Sequence, residues 1–158
     1  MSLDLPPALQ KVEFRHLICL EVAIDALQAI GPLGRRRVGL IASGRFEGER
    51  LNGRVLPGGS DWQTVTSEGA THLDGRLVLQ TEAGELIGMM FDGIRHGPPE
   101  IMARLAAGED VDPALYYFRI HATFSTGAPS LAWLNNVIAF GTGHRLRGGP
   151  IYNLFEMR

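Results

Sequence analysis

The sequence has 158 residues, of which 45% are hydrophobic and 20% charged, and its formal net charge is −2. This length and composition are typical of one globular domain with a core of its own. The slightly acidic balance argues against a general nucleic-acid-binding protein, which would show a basic excess. No apolar run of about 18 residues is present, so no membrane span is predicted.

A cytoplasmic protein is expected for two reasons. The first residues lack the basic region and the long apolar core of a secretory signal. Cys19 is the single cysteine, so an internal disulfide framework is excluded and a reducing compartment is favoured. Residues 1–10 are expected to form a flexible N-terminal arm.

Alternating polar and apolar residues predict strands through the first half of the chain. Residues 11–23 alternate over a length that predicts one long strand. The segment "RVGLIASGRFEG" at 37–48 predicts a second strand, in which Gly39 and Gly44 favour bulges or strong coiling. Residues 71–97 carry two alternating runs on either side of "TEAGE", which predicts a hairpin.

One short helix is predicted near residues 98–107. Pro98 and Pro99 suit the first turn, Glu100 complements the helix dipole, and Gly108 can end the helix. Strands resume with "ALYYFRIHATFST". The segment "GAPSLAWLNN" predicts a single helical turn or a loop, and "NVIAFGTGHRL" with "PIYNLFEMR" predicts a closing hairpin.

These segments add up to roughly seven to nine strands with mostly short connections. An antiparallel sheet of this size commonly closes into a barrel, which leaves no edge strand unpaired. The predicted fold is therefore mostly β, a single closed or nearly closed antiparallel β-barrel of about eight strands over residues 1–158. It is expected to be lipocalin-like or a similar small barrel. With about eight strands, a barrel either fills with side chains or holds one small ligand.

Cofactor and metal signatures are missing. The sequence contains no dinucleotide-binding fingerprint, phosphate-binding loop, nucleophile elbow or HExxH metal motif. Its five histidines are widely scattered, without the closely spaced pair of a cupin metal site. We therefore expect neither a cofactor nor a metal ion.

Polar side chains share one face of several predicted strands. His72, Asp74 and Arg76 alternate with apolar residues, and Arg119 and His121 do the same further along the chain. Two interpretations stay open. These residues belong either to the solvent-facing wall of the barrel or to a ligand site.

The stretch "LNGRVLPGGSDWQ" at 51–63 interrupts the strands. Residues 57–59, Pro-Gly-Gly, predict a turn that needs a positive φ. In one interpretation, the turn folds over the barrel mouth, where Trp62 forms an apolar wall and Asp61 directs a carboxylate inward. In the other, Asp61 only caps the turn and Trp62 only plugs one end of the barrel.

The order and spacing of several motifs resemble the family called domain of unknown function 3237, also named uncharacterised protein family 0311. The motifs are "GRFEGERLNGRVLPGGSDW", "HLDGRLVLQTEAGELI", "DGIRHGPPE", "YYFRIHATFSTG", "AWLNN" and "YNLFEMR". The resemblance extends from about Phe14 to Arg158 and implies a small closed β-barrel. Fungal relatives in natural-product pathways imply cofactor-free ring closure, in which an oxygen nucleophile adds across an alkene.

The family-like positions are Gly53, Pro57, Gly58, Gly59, Asp61, Trp62, Asp74, Arg76, Gly93, Arg95, Arg119, Phe124, Trp133 and Asn135. The chain departs from the pattern at Ser60, where the family often has a third glycine, and in "MMFDGIR", where many relatives are more polar. The methionines predict a more apolar and adaptable pocket.

Three hypotheses follow. In the first, the protein is a cofactor-independent lyase, isomerase or cyclase. Asp61 or Asp74 acts as general acid or base, and Arg95 and Arg119 hold an anionic group beside them. In the second, a non-catalytic barrel binds or carries a small ligand. In the third, the barrel is filled and its Arg–Asp pairs are architectural.

The candidate ligand-binding residues are Arg54, Trp62, His72, Arg76, Arg95, Arg119, Trp133 and Asn135. The expected partner is a small molecule, with no nucleic acid and no membrane. Self-association into a homo-oligomer is left open.

Overall fold

The computed structural model describes residues 3–158 and consists mainly of strands. The nine strands are β1 Phe14–Ala29, β2 Arg36–Glu47, β3 Asn52–Val55, β4 Ser60–Val65, β5 Thr71–Thr81, β6 Leu86–His96, β7 Tyr117–Ser125, β8 Ile138–Leu146 and β9 Gly149–Met157. The α-helix is α1 Pro99–Ala106, and short 3-10 helices span Pro7–Leu9, Pro32–Gly34, Pro113–Leu115 and Pro129–Asn136.

The strands form one closed antiparallel barrel, as predicted. Each strand from β5 to β9 pairs with the next, β9 pairs with β1, and β1 pairs with β2. The circle closes because β3 and β4 both lie between β2 and β5. Nine strands therefore occupy eight positions around the barrel.

The segment between β3 and β4 lies within the barrel wall. The Leu56 N–H donates to the Val78 carbonyl at 2.8 Å, and the Gly58 N–H donates to the Ile41 carbonyl at 3.1 Å. Both neighbouring strands, β2 and β5, thus remain hydrogen-bonded to this segment. The segment is an interruption between β3 and β4, which share one position in the barrel wall. The prediction that residues 57–59 fold over the barrel mouth is wrong. These residues lie in the barrel wall, because β3 before them and β4 after them both pair with β2 and β5. The positive φ is confirmed at Gly58, where it is 101°.

Helix α1 confirms the helix predicted near 98–107. It begins after Pro98, carries Glu100 in its first turn, and buries Ile101 and Leu105 against the barrel. It connects β6 to β7 at the end of the barrel that also holds the β1–β2, β4–β5 and β8–β9 connections. We call this end the mouth.

The other end of the barrel is covered by the 3-10 helix Pro129–Asn136, which matches the helical turn predicted there. Its Leu131 and Leu134 are buried in the main core cluster. Between the two ends, inward side chains fill the barrel. Gly75 makes room for the ring of Phe91, since a Cβ at Gly75 would lie 2.1 Å from the Phe91 Cζ. The barrel is therefore solid except near its mouth.

Residues 1 and 2 of the predicted N-terminal arm lie outside the described residues. Residues 3–10 are exposed and include the 3-10 helix Pro7–Leu9, and their flexibility stays a prediction. Within residues 3–158, no helix combines the length and the apolar character needed to cross a membrane.

Candidate functional site

A pocket of about 260 Å³ remains at the mouth, beneath helix α1. Its polar lining comes from Arg37, Gln63, Thr71, Arg95 and Arg145. Its apolar lining comes from Ile24, Leu27, Val65, Met102, Leu105 and Ala106, with Gly69 completing the wall. We call this cavity the mouth pocket. Its volume lies just below the usual range for small-molecule sites, which runs from about 300 to 1,000 Å³.

Strand register places the polar lining. Arg95 on β6 is directly opposite Thr71 on β5, and alternation turns both side chains inward. Arg37 on β2 is opposite Gln63 on β4, and its Nε donates to the Gln63 Oε1 at 3.0 Å. Arg145 comes from the mouth end of β8. The polar lining therefore comes from five strands, β2, β4, β5, β6 and β8.

Asp61 lies under the pocket and is 3% exposed. Its Oδ2 accepts a hydrogen bond from the Gln63 Nε2 at 2.8 Å, while its Oδ1 is buried without a partner. Burial raises the pKa of Asp61, and the hydrogen bond from Gln63 and the charge of Arg95 oppose that effect only in part. A carboxyl group at this position therefore takes up a proton more readily than an exposed aspartate does.

The three pocket arginines contact no acidic side chain within the described part of the chain. None of the ion pairs among residues 3–158 includes Arg37, Arg95 or Arg145. Burial, with a smaller effect from the charge of Arg145, lowers the pKa of Arg95 to about 10. Burial also lowers the pKa of Arg37 and of Arg145. The Arg95 Nε is buried without a hydrogen-bond partner, and the guanidinium carbon is 5.2 Å from the Phe118 ring centroid.

Two tyrosines complete the polar group. The Tyr152 side chain is fully buried with an unpartnered hydroxyl, and burial raises its pKa. The Tyr116 hydroxyl accepts a hydrogen bond from the Arg145 backbone N–H at 2.8 Å, so its own proton is free to be donated. Unpartnered polar atoms of Asp61, Arg95 and Tyr152 therefore occur together, although buried polar groups are normally satisfied.

The predicted single cluster of acids and arginines is split by the barrel wall, which corrects that expectation. Asp61 and Arg95 point inward, whereas Asp74, Arg76 and Arg119 are exposed on the outer wall. The reason is the two-residue period of the strands. The inward Asp61 is opposite Gly75, so Asp74 must face outward. Asp61 and Asp74 cannot act on the same molecule inside the barrel.

Trp62 also faces outward, because it follows the inward Asp61 in a regular strand. On the outer wall it is opposite Asp74, which is opposite Asp92, which is opposite His121. These residues, with His72 and Arg119, line a shallow cleft of about 490 Å³. The His121 Nε2 is 3.6 Å from the Asp92 Oδ2. Three of the predicted ligand-binding residues, Trp62, His72 and Arg119, thus meet the predicted catalytic residue Asp74 outside the barrel rather than within it.

The other predicted residues make structural contacts elsewhere. Arg54 donates two hydrogen bonds to the Gln80 Oε1, at 3.0 and 2.8 Å, on the outer wall. Arg76 donates to the Met90 sulfur. Trp133 and Asn135 lie at the end opposite the mouth. There the Arg50 guanidinium carbon is 4.3 Å from the Trp133 ring centroid, and the Asn135 amide bonds the Thr126 backbone. Their ligand-binding roles stay predictions.

Sequence reasoning missed Arg37, Gln63, Tyr116, Arg145 and Tyr152. Arg37 stands in the basic run "GRRRVG", whose simplest interpretation is a solvated hairpin end. A usable signal was the inward position of Arg95, because an arginine on the apolar face of a strand needs a polar surrounding. Among residues 3–158, no group of three or more His, Cys, Asp or Glu side chains is placed to hold a metal ion.

The buried Asp61 predicts a distinct pH dependence of stability. Because its pKa is raised on folding, the folded protein binds this proton more tightly than the unfolded chain does. Its stabilising effect is present below the unfolded pKa, about 3.9, and is lost as the pH rises through the folded pKa. We expect Asp61→Asn to raise the melting temperature at pH 7, because a neutral amide avoids the cost of burying a carboxylate.

Thermal unfolding at several pH values between 4 and 7 measures this effect. The difference in melting temperature between Asp61→Asn and the unmodified protein should grow as the pH rises. The matched control is Asp4→Asn, because Asp4 is exposed. A difference that is the same at pH 4 and pH 7 would contradict the assignment of a raised pKa to Asp61.

Comparison with known proteins places the chain in a family. The family model described as "Protein of unknown function (DUF3237)" matches residues 12–157. A UPF0311 protein from Clostridium acetobutylicum is 34% identical over 152 residues, which cover 94% of this chain and 96% of the relative. The structure of a β-barrel-like protein from Acinetobacter baumannii is 37% identical, with a TM-score of 0.81 and coverage of 99% of this chain and 100% of that one.

A conserved protein of unknown function from Rhodopseudomonas palustris is similar over 94% of this chain and 98% of its own. Its TM-score is 0.89 at 29% identity. These matches cover the whole barrel, including every strand that contributes to the mouth pocket. The chain therefore belongs to the DUF3237 family of proteins of unknown function.

Proposed function

We propose that the protein binds a small organic acid in the mouth pocket. The observation that carries this proposal is the set of three arginines around one pocket, none of which forms an ion pair with any of the described residues 3–158. Guanidinium groups bind carboxylates through two parallel hydrogen bonds, and these bonds are strong where water is excluded. Unpaired cations at a partly buried site are costly, and an anionic ligand removes that cost.

The remaining lining suits the carbon skeleton of such a ligand. Leu27, Met102 and Leu105 supply apolar contacts on the side facing helix α1. Methionine adapts to ligands of different shape. A pocket with an apolar wall and a few convergent polar groups is the usual form of a small-molecule site. The ligand therefore lies with its acidic group toward the barrel and its carbon atoms toward α1.

A catalytic role is the second candidate, and one observation favours it. Asp61 combines a raised pKa with an unpartnered oxygen one layer below the pocket floor. A ligand that displaces the Gln63 side chain would contact this carboxyl, which would then donate or accept a proton. Proton transfer of this kind serves a lyase, isomerase or cyclase without a cofactor. Without such contact, the barrel is a carrier.

A bulky side chain introduced on helix α1, where it would fill the mouth pocket, tests the binding proposal. Ala106 lines the mouth pocket, whereas Ala103 is exposed on the same helix outside it. We expect a thermal-shift screen of small organic acids to find compounds that stabilise the unmodified protein and Ala103→Trp but not Ala106→Trp. The proposal fails if no acid stabilises the protein, or if the acids that do so stabilise Ala106→Trp equally.

Hydrogen–deuterium exchange of the bound acid in D2O distinguishes an enzyme from a carrier. The acids found in the screen would be incubated with the protein in D2O and followed by proton NMR. A catalytic Asp61 predicts exchange of a carbon-bound proton, or conversion of the acid, that is lost in Asp61→Asn while binding persists. Binding without exchange or conversion identifies a carrier.

A further inference from the structure

The charges around the mouth pocket do not balance. Arg37, Arg95 and Arg145 contribute three positive charges, and Asp61 beneath the floor contributes at most one negative charge. Asp110 is another acidic residue near Tyr116, but its carboxylate is exposed, and its Oδ1 lies 3.3 Å from the His144 Nε2. Two positive charges therefore remain unmatched even when Asp61 is ionised. This excess stands out in a chain whose net charge is −2.

The three guanidinium groups differ in depth. Arg95 is 6% exposed and lies on the floor, with its Nε unpartnered. Arg37 and Arg145 are only half-buried and come from β2 and β8, so they lie closer to solvent. Arg37 uses its Nε for Gln63, which leaves its two terminal nitrogens free of protein partners among residues 3–158. The pocket thus offers cationic donors both at its floor and at its rim.

We propose that the ligand of the mouth pocket is a compact dianion, either a dicarboxylate or a phosphate monoester. One anionic group binds Arg95 at the floor, and the second charge meets Arg37 and Arg145. This inference rests on the proposed binding function and specifies its ligand class. A monoanion leaves one of the unmatched charges uncompensated, whereas a dianion neutralises both. The volume of about 260 Å³ limits the ligand to a compact molecule.

Matched pairs of compounds test the charge requirement by calorimetry at low salt. Succinate is compared with its monomethyl ester, phthalate with benzoate, and glycerol 3-phosphate with its methyl diester. We expect at least one dianion to bind ten or more times tighter than its monoanionic partner. The two chemical arms distinguish a dicarboxylate from a phosphate monoester.

Variants show whether the rim arginines carry the preference. Arg37→Gln and Arg145→Gln should reduce the ratio of affinities within each pair below about threefold, because each removes one rim charge. Arg45→Gln is the control, since Arg45 is an exposed outer-wall residue that pairs with Glu21. Circular dichroism and melting curves confirm that each variant folds.

The possible results separate the inference from the proposed function. Monoanions that bind as tightly as dianions, with binding blocked by Ala106→Trp, overturn the dianion and leave the organic-acid site standing. The absence of any binding that Ala106→Trp blocks overturns both. A dianion preference that survives Arg37→Gln and Arg145→Gln unchanged also overturns the inference, because the rim arginines would then not be its cause.

Discussion

Arg95→Gln should reduce the affinity of the mouth pocket for its acid by about 30-fold or more. The side chain is the most deeply buried cation of the site and has no ion-pair partner in the part of the chain that the structure describes. Loss of one partner from a desolvated, hydrogen-bonded charge pair costs about 2 kcal/mol or more. Calorimetric titration with an acid found in the screen measures the change.

The unliganded variant should be as stable as the unmodified protein or more stable. A guanidinium group buried without an ion pair adds little to folding, and functional sites often reduce stability. Arg45→Gln again serves as the control, because it removes a positive charge from the outer wall. Unchanged affinity in Arg95→Gln would show that the floor of the pocket is not where the acid binds.

Gly75→Ala should destabilise the barrel by about 3 kcal/mol. The new Cβ would lie 2.1 Å from the Phe91 Cζ and 2.2 Å from its Cε1, far inside van der Waals contact. Phe91 has little room to move, because it packs against Tyr152 with ring centroids 5.7 Å apart. The strain therefore has to be taken up by the wall or by the core.

Urea unfolding measures this loss, and a double variant identifies its cause. Phe91→Leu removes the ring from the space above Gly75, so Gly75→Ala should cost much less in the Phe91→Leu background. Gly88→Ala is the matched control in the neighbouring strand β6. A Cβ there would meet its nearest atom, the Ser125 carbonyl oxygen, at 3.6 Å. Equal costs in both backgrounds would show that the ring is not the obstacle.

The two-residue period was enough to predict the barrel and the inward side of most strands, and the prolines, Glu100 and Gly108 predicted the short helix. On β5 it places Leu73, Leu77 and Leu79 in the core and turns the polar residues outward, as the structure shows. The same period also turns Asp61 and Trp62 to opposite faces of β4. The side chains of adjacent residues in a regular strand cannot both point into the same pocket. The solvent-facing interpretation of His72, Asp74 and Arg76 agrees with their positions on the outer wall.

The composition of the mouth pocket was not predictable in the same way. Arg37 and Arg145 stand near strand ends, where alternation weakens and an arginine is usually solvated. Their approach to Arg95 depends on register across β2, β4, β5, β6 and β8, which one sequence does not specify. Gln63 likewise carries no signal until its neighbours Asp61 and Arg37 are known in space.

The placement of the three pocket arginines on β2, β6 and β8 has a consequence for folding order. No local segment of the chain holds two of them, so the anion site does not exist until β2, β6 and β8 have all joined the barrel. Ring closure then brings like charges together, and their repulsion opposes this final step. An anion that fits the finished site binds only the closed barrel. It stabilises the completed ring over every partly opened form by an amount that increases with its concentration.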